Sequence, residues 1–391
     1  MRFFNLDCHI AVIADLVEVF DSLGHSVTSW SISGHNWVFG RSATDVDVVT
    51  PQTWRSIDAR MAEEFWSRYG DFLDGFDGFI CTYPPAFSLL YQRSNKPIII
   101  QAPIRYEVPY TNKPESWCTF NDYLRDGIDS ERIIPVANSL YDKKYCELFT
   151  EREWRLIPNI CGYTKTNWAP RTPKFLYSGK PPFRFTKHYD FLSGIQSAFA
   201  SFSFSRRRAF RKLLMTNDVL VPFRHPLVNK GKLGGYSWEE LSEFQGIVMI
   251  PYNASTMSLF EHYSANIPVF IPSKRFLLEL WRSYSRLGVL SELSWNQVLG
   301  LAPQSQIPFS RSVPDPNAFD SLEAVEYWLD FADFYNEDWM PHLVYFDSWE
   351  ELDYKLSNTD LNNVSRKMRD FNLVRRERIG RLWESTLNGI S

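Results

Sequence analysis

Short apolar runs recur along this chain, separated by longer segments whose apolar residues fall at helical spacing. Residues 1–6 read as a strand, Asp7-Cys8-His9 as a short loop, and 10–23 as a helix through Ile10, Ile13, Leu16, Val17 and Phe20. Gly24 stands where a helix C-terminal glycine belongs, and 26–30 resume as a strand. The pattern continues with helix 53–72, strand 76–82, helix 85–92, strand 97–101, strand 132–137, helix 139–148 and strand 154–157. Strands alternating with helices in this way predict a doubly wound parallel sheet. In such sheets ligands bind at the carboxyl ends of the strands, which makes His9 a candidate ligand contact. The loop 102–112, rich in proline and aromatics and carrying Arg105, is another candidate substrate contact.

Residues 161–173, CGYTKTNWAPRTP, break the rhythm with polar residues and two prolines, and so read as a linker. The alternation then restarts: strand 174–178, a loop 179–187 carrying Lys180, Arg184 and Lys187, helix 189–199, strand 218–223 ending in Arg224-His225-Pro226, and helix 238–244. The most informative stretch follows at 246–273, GIVMIPYNASTMSLFEHYSANIPVFIPS. It spells strand, small-polar turn, short helix bearing Glu261, and second strand. The amides opening that helix, at Thr256, Met257 and Ser258, have no intrahelical partner, so together with the helix dipole they favour an anion. A carboxylate one turn further on suits sugar hydroxyls better than phosphate. Helix 274–287, helix 321–331, strand 342–346 and a partly basic helix 361–387 complete the chain, the basic run reading as a solvated helical face.

A chain of 391 residues exceeds one ordinary core, so two domains are expected. The boundaries fall at 1–165 and 166–370, with 371–391 as a helix returning to the first domain. Net charge is −4 with dispersed basic residues, which argues against a nucleic-acid-binding face. Five cysteines, Cys8, Cys81, Cys118, Cys146 and Cys161, all lie in the first half without C-x-x-C spacing, and read as reduced intracellular thiols. No apolar run approaches the ~20 residues of a spanning helix. Asp7, Asp15 and Glu18 interrupt any signal-peptide core, so a cytoplasmic protein without a signal peptide is expected. Asp45-Val46-Asp47 spells D-x-D, but its apolar residues follow the motif instead of preceding it, which favours a solvated strand entry over a metal site.

Two βα domains, a central linker and a final helix resemble the GT-B glycosyltransferase plan, two Rossmann-like domains facing a cleft. The stretch 246–273 resembles more closely family four of the retaining GT-B enzymes, which carry E-x7-E with a Pro-Val strand beyond. Glu261 matches the second glutamate and Asn266-Ile267-Pro268-Val269 the strand entry, but Asn253 stands where the first glutamate is usual. Asn253 hydrogen-bonds without supplying negative charge. Ser178-Gly179-Lys180 with Lys187 resembles the family's cationic pair, and Ile157-Pro158-Asn159-Ile160 resembles its Ile-Pro-Asn-Gly near the linker. Gln101 stands where a strand-end histidine is frequent. The chain also resembles chlorovirus-encoded glycosyltransferases of this family, which would place it in the host-cell cytoplasm.

The resemblance implies retaining transfer of a hexose from a nucleotide diphosphate-sugar, GDP-mannose before UDP-sugars, to a glycan or glycoprotein hydroxyl. No cofactor or essential divalent metal is implied, because Lys180 and Lys187 would neutralise the departing diphosphate. Lys180, Lys187, Asn253 and Glu261 carry the chemistry in this reading. Arg184, Arg224, Thr256, Met257 and Ser258 join Glu261 in holding the donor, and His9, Gln101 and Arg105 face the acceptor. A homodimer is left open. The alternatives are a nucleotide-sugar 2-epimerase, a phosphorylase of related fold, or a non-catalytic nucleotide-sugar-binding protein. Replacing both Lys180 and Lys187 by alanine is expected to abolish transfer; undiminished turnover in that double variant would remove them from leaving-group stabilisation.

Overall fold

The computed structural model describes residues 1–103, 106–110, 113–179, 225, 227–233, 235–284, 288–290, 313–316 and 321–390. Two parallel sheets organise them. The first contains β1 (Arg2–Asp7), β2 (Ser26–Ser31), β3 (Gly78–Cys81), β4 (Ile98–Ala102), β5 (Ile133–Ala137) and β6 (Arg155–Leu156), in the order β2-β1-β3-β4-β5-β6. The second contains β7 (Phe175–Ser178), β8 (Leu227–Asn229), β9 (Ile247–Met249), β10 (Val269–Pro272) and β11 (Val344–Phe346), in the order β11-β10-β9-β7-β8. All these pairings are parallel, so each half is a Rossmann-like α/β unit.

The inner strands β3 and β4 are buried on both faces, which is why they read as short, mainly apolar runs. Phe4, Phe79, Ile98 and Ile100 enter one core with Phe65, Tyr91 and Trp117. Phe3, Ile80, Ile99 and Val136 enter the other with Ile13 and Phe20. Phe79 stacks on Tyr91 at 4.2 Å between ring centroids, a contact worth roughly 0.5–1.5 kcal/mol beyond its buried area.

Local chemistry sets the helix ends. Helix α1 (Ile10–Ser22) stops where Gly24 takes a left-handed φ of 78° and its amide returns to Asp21 O at 3.0 Å. Helix α2 (Ala59–Leu73) starts later than the pattern predicts, because Asp58 caps it by accepting the Met61 amide at 2.8 Å. The segment expected as helix 85–92 is a 3-10 helix, Pro85–Tyr91. Helix α3 (Pro114–Asp129) is absent from the pattern reading, although Pro114 opens it and Trp117, Phe120 and Leu124 line its inner face. Helix α4 (Leu140–Thr150) is capped by Ser139, whose hydroxyl accepts the Asp142 amide at 2.9 Å. The expected helix 189–199 and strand 218–223 lie outside the described residues.

In the second half, α5 (Trp238–Ser242), α6 (Met257–Ser264), α7 (Lys274–Tyr284), α8 (Leu322–Leu329) and α9 (Trp349–Asn358) surround the sheet, and α10 (Leu361–Asn388) closes the chain. The break placed at 371 falls inside α10, which is continuous. Asn372 donates its amide to Tyr263 O and Asn266 Oδ1, both at 2.8 Å, on the second domain. One turn and more beyond, Ile379, Trp383 and Leu387 join the core of Phe3, Ile10 and Phe20 in the first. The basic run on α10 is not wholly solvated either. Arg375 lies on the inner stripe with Met368, Asn372, Ile379 and Trp383 and is 1% exposed. Arg378 sits 3.8 Å above the Trp339 ring.

Arg375 and Asp15 hold the segment joining the domains. The Asp15 carboxylate on α1 accepts Asn159 Nδ2 and the Ile160 amide at 2.8 Å each, and the Cys161 amide at 2.6 Å. Arg375 donates Nη2 to Asn159 O, and Ser264 on α6 donates to Cys161 O at 3.1 Å. Burial pushes the Asp15 carboxyl up, while these three hydrogen bonds and the Arg375 charge hold it down. Asp15→Ala is therefore expected to cost about 3–5 kcal/mol, the range for removing one member of a buried charged network. The fall in urea midpoint measures it, and an unchanged midpoint would show that the clamp does not support the fold.

Candidate active site

Each sheet has a topological switch point, where the chain leaves one strand for neighbours on opposite sides. In the first sheet it lies between β1 and β3. At their carboxyl ends the Cys8 amide donates to Tyr83 O at 2.9 Å, and Thr82 and Ser31 hydroxyls donate to Asp7 at 3.3 and 2.8 Å. Burial pushes the Asp7 carboxyl up to about 7 against those two hydroxyls. His9 is half-buried here, its ring edge-on to Tyr83 at 6.0 Å. In the second sheet the switch point lies between β7 and β9. The Ile250 amide donates to Ser178 O at 3.1 Å, so the start of the loop after β7 and the turn after β9 are adjacent.

Gly179 is the last described residue of that loop; Lys180, Arg184, Lys187 and Arg224 lie outside the described residues, as does Arg105. The turn 251–256 is described in full. Asn253 is 1% exposed; its Oδ1 accepts the Ala254 amide at 2.7 Å, and its Nδ2 has no partner among the described residues. Thr256 opens α6 with extended backbone, and no side chain caps the helix's first amides. The hydroxyls of Thr256 and Ser258 lie 3.4 Å apart. Gly246 lets β9 approach β10 closely, since a Cβ there would lie 2.8 Å from Pro268 O.

Glu261 is more enclosed than a ribose-binding carboxylate was expected to be. It is buried, and Tyr163 from the linker region donates its hydroxyl to Oε1 at 2.8 Å. Burial raises its carboxyl, and the Lys230 ammonium nearby holds it down. Lys230 lies 3.4 Å from His262 Nε2 and 4.7 Å from the Tyr236 ring centre. Burial, reinforced by Lys230, keeps His262 neutral with its pKa well below the usual range. Lys230 and Tyr163 escape sequence reading because neither sits in a recognisable motif; only the folded chain brings strand end, linker and helix together. Around them Phe39 of the first domain packs on Tyr163 and Trp238 at 5.2 and 5.4 Å, while Trp37, 48% exposed, meets Tyr236 at 6.4 Å.

The carboxyl edges of the sheets face one another. Asn138, just past β5, places Nδ2 3.0 Å from Asn159 Oδ1 and 4.0 Å from the sulfur of Met257 in the first turn of α6. Gln101 does not reach this face: it is fully buried, and its amide donates to Ile157 O at 3.2 Å. Asp47 of the D-x-D segment forms an exposed ion pair with Arg68 at 2.7 Å. Among the described residues no group of three or more His, Cys, Asp or Glu is arranged to hold a metal ion, and no helix is long and apolar enough to cross a membrane.

No family model matches the chain, and no curated protein matches it. Among solved structures it is similar to the glycotransferase of kitacinnamycin, at 12% identity and a TM-score of 0.44 over 99% of this chain and 98% of that one. Spinosyn forosaminyltransferase SpnP gives 12% and 0.43 over 99% of each chain. The glycosyltransferase SnogD from Streptomyces nogalater gives 10% and 0.39 over 98% of each. At such low identities and scores, the topology and residues of the crevice carry the functional reading.

The Lys230–Glu261 pair makes a pH-dependent prediction. A carboxyl whose folded pKa is raised contributes stability below its unfolded value and loses it as pH rises through the folded one. Lys230→Ala would raise Glu261 further and so destabilise the protein more at pH 8, where the carboxyl must ionise unpaired, than at pH 5. Urea midpoints at both values test this; an equal loss at both would show that the two charges are not coupled.

Proposed function

We propose that the protein is a glycosyltransferase of the GT-B plan that transfers a hexose from a nucleotide diphosphate-sugar. The observation that carries this reading is the pair of parallel sheets, each with a switch point, whose carboxyl edges approach at Asn138 past β5 and Met257 at the start of α6. The second crevice has what a diphosphate requires: the uncapped start of α6 beside the head of the loop that carries Lys180 and Lys187. Charge develops on the departing nucleotide, and those cations with the helix N-terminus stabilise it without an essential metal ion. Thr256, Met257 and Ser258 supply amides to the phosphates, Arg184 and Arg224 add charge, and Glu261 receives the ribose. The acceptor, a glycan or glycoprotein hydroxyl, enters from the first domain past His9 and Arg105.

The family-four resemblance supports retention, with the acceptor attacking on the leaving-group face and the departing phosphate taking its proton. GDP-mannose is the preferred donor. A second reading, inversion, is favoured by the position of His9 at the first sheet's switch point, where an imidazole can serve as the base of a single displacement. Calorimetric titration against GDP-mannose and a series of UDP-sugars is expected to yield one clear binder, and binding by none would overturn the proposal. With that donor, the anomeric configuration of the product by proton NMR separates retention from inversion, and persistence of transfer in EDTA checks metal independence.

A further inference from the structure

The turn after β9 carries the amide Asn253, and the fold brings a carboxylate to it from elsewhere. Asp333, in the 3-10 helix Asp333–Tyr335 after α8, donates its backbone amide to Ala254 O at 3.2 Å. It is therefore bonded to the residue next to Asn253, although 80 positions separate the two in the chain. Its side chain is 5% exposed, and Oδ2 is buried with no hydrogen-bond partner among the described residues. The Ser255 hydroxyl approaches the same carboxyl and favours its charged form, as does the positive charge of Arg375; burial and the Asp142 charge in the first domain oppose them, and the group stands well above the usual carboxylate range. Asp333 thus lies where the second domain meets the first.

Two buried polar atoms are left unmatched here, one on the turn and one on the 3-10 helix bonded to it: Nδ2 of Asn253, a donor, and Oδ2 of Asp333, an acceptor when ionised and a donor when protonated. A buried polar atom left unpartnered is disfavoured, so a donor and an acceptor on two adjoining segments suit a ligand that satisfies both. Hydroxyls of a hexose supply donor and acceptor at once. We propose that Asp333 is a donor-sugar contact of this protein, its Oδ2 binding a sugar hydroxyl beside Asn253. The inference rests on the glycosyltransferase reading and names the residue that selects the sugar within it.

The test compares free nucleotide with nucleotide-sugar on the full chain, by calorimetry with GDP against GDP-mannose and UDP against UDP-glucose. Asp333→Asn is expected to bind the free nucleotide as the parent does and to lose about tenfold in affinity for the sugar-bearing form, the worth of one hydrogen bond. Retained nucleotide binding also reports that the variant is folded. Should Asp333→Asn not fold, Ser255→Ala, which removes the hydroxyl beside the carboxyl, is expected to show the same selective loss. Equal loss for both ligands, or no loss for either, would overturn the assignment. If the parent protein binds none of the four ligands, the glycosyltransferase reading itself fails and Asp333 with it.

Discussion

The relation between the two domains depends on a buried charge pair and the backbone it grips. Asp15 accepts three hydrogen bonds from 159–161, and Arg375 holds the Asn159 carbonyl from the other side. Taking ionised groups out of water is costly, and only partners in fixed geometry offset that cost. The consequence for the segment connecting the domains is that its backbone is held by side chains of α1, α6 and α10 at once. Helix α10 reinforces it by spanning the boundary, amide-bonded through Asn372 to the second domain and packed through Trp383 on Phe20 of the first. Without this bracing, the two switch-point crevices would have no fixed orientation toward each other.

Given that orientation, the polar inventory of the cleft divides in two. Glu261, Tyr163, Lys230 and His262 are engaged with one another on one side, beneath the aromatic wall of Phe39, Tyr236 and Trp238. Around the turn at Asn253 and Asp333, buried polar atoms remain unmatched. The first group is largely self-satisfied around the carboxylate proposed to meet the ribose, whereas the second leaves a donor and an acceptor over.

Much of the fold is legible in the chain. Ile98, Ile99 and Ile100 announce a strand buried on both faces, Gly24 a helix end and Ser139 a helix start, because these signals act within a few residues of themselves, whereas the apolar pattern starts α2 ahead of its cap at Asp58. Reading the α6 turn as a helix N-terminus has the same local basis. Helix α3 shows the limit of attention to strands: its apolar spacing is present, but it follows a loop whose prolines and aromatics suggest irregular structure. Arg375 shows a different limit. Among neighbouring arginines it reads as solvated, yet its register with Met368, Ile379 and Trp383 puts it on the inner stripe, so helical phase outweighs charge.

The sequence by itself therefore determined the alternation of strands and helices, the two-domain plan and the polar turn that opens α6, all consequences of periodicity and short-range capping. The tertiary structure decided which distant residues share a site. Asp333 beside Ala254, Tyr163 on Glu261, Lys230 beside His262 and Arg375 on Asn159 join separate elements through burial and hydrogen bonding. No spacing rule predicts such pairs, because long-range contacts are fixed by how whole elements pack and by the cost of leaving a buried charge alone.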